Sequence, residues 1–187
     1  GPYGNGNARQ LVARPPSWTA LQRYEWTFAL QDHGWRGHTQ LKEMVDQLWV
    51  ARGPGSVVNT NALRTFFQKH WDLDRELTYL ATINWMVPWD DVFHNYYLWQ
   101  QRNGRWSQLP WDFDNTMNGQ SANTSIFTAA PNAGPNYFKE SAIRVFRDEF
   151  RQRAWFLNNT VLHPETIAAL GLHASIRTWS ANRFRSV

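Results

Sequence analysis

Residues 84–118 read NWMVPWDDVFHNYYLWQQRNGRWSQLPWDFDNTMN, and five side chains in this stretch, Asp90, Asp91, Asn95, Asp112 and Asp114, carry hard oxygen donors. Carboxylate and amide oxygens are what Mg²⁺ takes, and one or two carboxylates suffice when phosphates and water complete its shell. A hairpin would bring them together. Residues 96–99 (YYLW) and 105–109 (RWSQL) flank Asn103-Gly104, the dipeptide favoured in two-residue type I′ turns. With those two residues as the loop, opposed positions sum to 207, which sets Asn95 against Asp112. Directly opposed residues have Cα atoms about 4.5–5.5 Å apart and side chains on one face, so an amide oxygen and a carboxylate are expected to converge at the open end. Asp114 takes the same face if the strand continues. Pro110 has no N–H for the ladder and is expected to fray the pairing there.

Asp90 precedes Asn95 with four residues between, and a hairpin and then an Asp follow. Protein kinases use that order: the loop Asp accepts the substrate hydroxyl proton, while the Asn and the post-hairpin Asp hold Mg²⁺ on the phosphates. Each residue also has a plainer role open to it. Asp90 or Asp91 can cap a turn, Asn95 can satisfy backbone groups, and Asp112 or Asp114 can pair with a surface Arg. Asp90 and Asp114 could also serve as the acid and base of a glycosidase, but nothing in the sequence sets their pKa values apart.

The elements that must position this block are mostly helical. Leu41, Met44, Val45, Leu48 and Trp49 recur at the spacing of one helix face, and Gly53-Pro54-Gly55 ends that pattern. Asn59 or Thr60 can cap a second helix with Leu63, Phe66 and Phe67 inward, and Asp72 can cap a third carrying Leu73, Leu77, Leu80 and Asn84. A polar stretch after Asp114, 115–136, is too long for an ordinary connection. Beyond it Ile143, Phe146, Phe150, Ala154 and Leu157 form an apolar stripe, Pro164 suits a helix start, Gly171 a helix end, and residues 175–184 a last helix.

With 187 residues, 42% of them apolar, one domain spanning 1–187 is expected, α+β in class and mostly α. No run reaches the 18 to 20 apolar residues that span a bilayer. The pI is near 9.7, yet the net charge is only +4 and the Arg residues are scattered, so nucleic acid is not an expected partner. The chain has no Cys, which removes thiol nucleophiles and Cys-ligated zinc and leaves the compartment undecided. His-Glu-x-x-His, G-x-S-x-G and Walker A patterns are absent from the sequence.

The central block resembles the CotH kinase family, which is distantly kinase-like. The resemblance is carried by Asn84-Trp85, Asp90, His94-Asn95-Tyr96-Tyr97-Leu98-Trp99, Pro110-Trp111-Asp112-Phe113-Asp114 and Asn115-Thr116-Met117-Asn118. It implies a kinase-like C-lobe and ATP-dependent transfer to a protein Ser or Thr, with Mg²⁺ or Mn²⁺. Asp90 would be the catalytic residue, Asn95 and Asp112 would bind the metal and nucleotide, and Asp114 would be a further metal ligand. Met86 to Trp89 intervene where the family places its loop Asp, so Asp91 rivals Asp90, and Gly119 falls one place late. Members carry an N-terminal lobe with a phosphate-binding Lys upstream of the matching part. The resemblance therefore implies that this chain is the C-terminal lobe of a longer protein, at a cell or spore surface, and that Lys42 is an ordinary helix residue.

Twelve Trp residues support a second reading, a scaffold that stacks on sugar rings. Trp49, Trp85, Trp111 and Trp155 fall on apolar faces or beside the motif, where core packing is the expectation. A sugar-binding surface would show a flat row of exposed aromatics, whereas a kinase-like site places Asp112 on a buried cleft floor.

Overall fold

The computed structural model describes residues 19, 21–22, 37–53, 58–87, 95–113, 116–117, 121–128 and 137–185. Helix α1 (Thr39–Arg52) buries Leu41, Met44 and Leu48, and it stops at Gly53, whose φ of 78° most residues avoid. Helix α2 (Thr60–His70) starts where the Asn59 side chain accepts the Ala62 N–H at 3.0 Å, and it turns Leu63, Phe66 and Phe67 inward. Helix α3 (Leu73–Met86) is capped by Asp72 and ends at Val87 in the left-handed region. Strands β1 (Tyr96–Gln100) and β2 (Trp106–Pro110) form one antiparallel hairpin. Helices α4 (Tyr137–Val145), α5 (Arg147–Asn158), α6 (Pro164–Ala169) and α7 (Ala174–Phe184) complete the described chain. The fold is α+β and mostly α, as the sequence predicts.

The core lies between α3 and α5, with α1 on α2, α2 on α4 and β2 against α3. Phe67, fully buried, meets Phe138 and Phe146 edge-on at 5.3 and 6.0 Å, and the Trp71 ring stands 4.3 Å from that of Phe138. The stripe from Ile143 to Leu157 is buried throughout, but it crosses a break at Phe146 that periodicity does not reveal. Arg64 bridges the break: it donates to the Val145 carbonyl at 3.0 Å, pairs with Glu149 at 2.9 Å and lies over the Phe146 ring. Gly171, at φ 66°, closes α6 as expected. Among the described residues, no helix is long and apolar enough to cross a membrane.

The Trp expectation holds only for Trp85. Trp49, Trp111 and Trp155 are 47%, 57% and 65% exposed, while Trp71, Trp106 and Trp179 are buried instead. Trp49 and Trp155 sit one residue past the buried Leu48 and Ala154, at the rim of their helix stripes rather than within them.

Candidate functional site at the open end of the hairpin

The hairpin is fastened to the start of α3. The Asp72 N–H donates to the Trp106 carbonyl at 3.0 Å, and Trp71 bridges Trp106 in parallel fashion. Gln101 Nε2 donates to Asp72 at 2.8 Å and to the buried Ser107 hydroxyl at 3.1 Å. One turn on, the fully buried Glu76 accepts the Gln108 N–H at 3.3 Å. Burial pushes the Glu76 carboxyl up to about 8, against the Gln108 hydrogen bond and with help from the Asp72 charge. Its other oxygen has no hydrogen-bond partner.

The register differs from the expected one. Tyr96 faces Pro110 and Leu98 faces Gln108, so opposed positions sum to 206 and Asn95 lies across from Trp111, not Asp112. The turn explains the slip. The Gln101 N–H bonds the Arg105 carbonyl at 2.8 Å and the Gly104 N–H bonds the Gln101 carbonyl, which makes Arg102, Asn103 and Gly104 a three-residue loop with Gly104 at φ 82°. A type I turn closed by a left-handed Gly uses the same Asn-Gly pair as a two-residue turn. The expected fraying at Pro110 does not occur either. The Trp111 N–H donates to the Asn95 carbonyl at 3.1 Å, so the 96–110 pair falls between hydrogen-bonded pairs and the missing Pro N–H removes nothing from the ladder.

Asn95 and Asp112 are still brought together, by another route. Asn95 Nδ2 donates to the Asp112 backbone carbonyl at 2.9 Å, which fixes the amide and turns its oxygen away from that bond. Asp112 has left the strand at φ 54°, and its carboxylate is exposed rather than set on a buried floor. Asp90, Asp91, His94 and Asp114 lie outside the described residues. Among the described residues, no three His, Asp or Glu side chains group as a metal site. The amide oxygen of Asn95 and the carboxylate of Asp112 are by chemical type the hard donors that Mg²⁺ accepts beside phosphate and water. Lys42 pairs with Asp46 on its own helix, as an ordinary helix residue would.

Among the described residues, the non-glycine positions with positive φ are Val87, Asn95, Asp112 and Met117. Val87 and Asn95 flank residues 88–94, and Asp112 and Met117 flank 113–116; such conformations concentrate where function constrains the backbone. The Met117 N–H ties this region to the end of α3 by donating to the Met86 carbonyl at 3.2 Å.

Residues 5–171 match the family described as CotH kinase protein. The chain belongs to the CotH kinase family. Searches among curated proteins and among solved structures return no significant match. The matched span of this CotH chain covers the hairpin, the helices that hold it and both motif segments. Two residues that organise the region were not singled out by sequence reasoning. Glu76 falls in the stripe of Leu73, Leu77 and Leu80, and Arg183 in that of Ile176, Trp179 and Ser180. A charge inside an apolar stripe was the available signal.

Proposed function

We propose that this CotH-family chain is the catalytic C-lobe of an atypical protein kinase, transferring the γ-phosphoryl group of ATP to a protein Ser or Thr hydroxyl. The observation that carries this reading is the hydrogen bond from Asn95 Nδ2 to the Asp112 backbone carbonyl, which holds the two residues together at the open end of a hairpin anchored on α3, within the span that matches the family. Asp90, with Asp91 as its rival, accepts the hydroxyl proton as the substrate oxygen bonds the γ-phosphorus. The bond to the bridging oxygen breaks, and ADP leaves with its electron pair. The Asn95 oxygen, the Asp112 carboxylate and Asp114 would hold the metal and orient the phosphates. Mg²⁺ or Mn²⁺ supplies charge neutralisation on the phosphates when bound. The chain folds as one domain, and an N-terminal lobe of the same protein covers the nucleotide.

Transfer from γ-labelled ATP to protein, assayed on the full-length protein with Mg²⁺ or Mn²⁺, tests this. Loss of transfer in Asp112→Asn and in one of Asp90→Asn or Asp91→Asn is expected, and transfer unaffected by all three substitutions contradicts it. The exposed Trp99 and Trp111, with Tyr97 5.3 Å from Trp111, favour a second reading, an inactive sugar-binding scaffold. Their rings are not a flat row, since Tyr97 and Trp111 are tilted by 57°. On that reading glycan binding falls in Trp111→Ala and survives Asp112→Asn.

A further inference from the structure

The last helix does more than cover the core. The side chain of Arg183 stands in the inward stripe of α7 with no solvent exposure. Its Nη2 donates to the Asn84 carbonyl at 2.6 Å, and its Nη1 donates to the carbonyls of Ala122, at 2.9 Å, and Thr124. Asn84 belongs to the last turn of α3, where carbonyls lack intrahelical donors and the helix dipole favours a cation. Ala122 and Thr124 belong to the segment that follows the second motif, where the Thr124 N–H bonds the Ser121 carbonyl. One rigid fork thus grips the chain both before Asp90 and after Asp114. Asn84 adds a parallel tie by donating from Nδ2 to the Ile126 carbonyl at 2.6 Å. Burial lowers the Arg183 guanidinium to about 10, which leaves it charged at neutral pH.

We propose that Arg183 is a positioning residue of the candidate site: by bonding the end of α3 and residues 122–124 together, it braces the chain on both sides of the hairpin whose open end presents Asn95 and Asp112. This rests on the phosphoryl-transfer reading for its purpose, and on the geometry alone for its effect. A lysine keeps the charge but has no planar fork, so it cannot hold carbonyls from two segments in one arrangement. Arg183→Lys is therefore the decisive variant, and Arg183→Met is the neutral one of similar length.

The test begins with ligand-free, isotope-labelled protein at a temperature where wild type and variant are both fully folded. Arg183→Lys is expected to shift the amide resonances of Asn95 and Asp112, and to speed amide exchange at least tenfold at 84–87 and 121–126, leaving α1 and α2 unchanged. Mn²⁺–ATP affinity is then expected to fall at least tenfold. Unmoved Asn95 and Asp112 resonances, or acceleration spread evenly over every helix, would overturn the proposal. If Arg183→Met does not fold, Arg183→Lys carries the test. If the wild type binds no Mn²⁺–ATP, the phosphoryl-transfer reading fails by itself, and the ligand-free resonances and exchange rates still decide the role of Arg183.

Discussion

Asn95 and Asp112 share a left-handed backbone, and this changes how either can be replaced. Asn and Asp tolerate that region because their short polar side chains bond locally, whereas Ala there costs about 1 kcal/mol in backbone strain. Asp112→Asn is thus the clean substitution: it is expected to abolish metal-dependent nucleotide binding while moving the thermal midpoint by less than about 2 °C, since it removes charge from an exposed group. Glu76 makes a pH prediction. Its folded pKa of about 8 lies above the ordinary carboxyl value of 4.5, so between those values the native state binds more protons than the unfolded chain, and stability falls as pH rises through that window. Glu76→Gln keeps the acceptor for the Gln108 N–H and removes the titration. Thermal melts should show the variant more stable than wild type at pH 8.5, by on the order of 1–3 kcal/mol, with the advantage vanishing near pH 4.5. A wild-type advantage at pH 8.5 would show that the buried carboxylate is compensated by contacts beyond Gln108. At this scale the oxygen donors were legible from residue type, but their backbone state was not. A left-handed φ at Asn95 and Asp112 comes from the chain's exit from the ladder, which no local pattern records.

Between α3 and the hairpin, the decisive feature is where β2 lies. The Asp72 N–H and the Glu76 carboxylate fix its edge, and the three-residue loop sets its register. The dipeptide Asn103-Gly104 revealed the hairpin but not the loop length, because a left-handed Gly closes both kinds of turn. A one-residue slip then moved Asp112 from opposite Asn95 to one place beyond. Gly104→Ala tests the loop. A Cβ at Gly104 meets nothing within 4 Å, so the change costs only backbone strain at φ 82°. About 1 kcal/mol is expected, read as a fall of about 2–4 °C in midpoint. A neutral substitution would mean that the turn relaxes to another type. The helix ends fared better: Asn59, Asp72, Gly53 and Gly171 act where their chemistry places them, because caps are local.

In the whole molecule, Phe67 ties α2 to α4 and to the break before α5, and Arg64 spans the same junction from the surface side. Phe67→Ala removes a fully buried ring and is expected to cost about 3–5 kcal/mol by denaturant titration. The apolar stripes foretold the helical heart of this core, from Leu41 to Leu80 and from Ile143 to Leu157, but not Trp71, Trp106, Ile126 and Trp179, which close it. Tertiary ties were illegible, because Arg183 and Arg64 bond carbonyls distant in sequence and a guanidinium carries no periodic signature of its partner. On the proposed function, the open end of the hairpin holds a metal ion on phosphates. Titration of Mn²⁺ with ATP into labelled protein tests it most directly. Paramagnetic broadening centred on Asn95 and Asp112, absent in Asp112→Asn, is the predicted result. Broadening elsewhere, or none at saturating Mn²⁺–ATP, would contradict it.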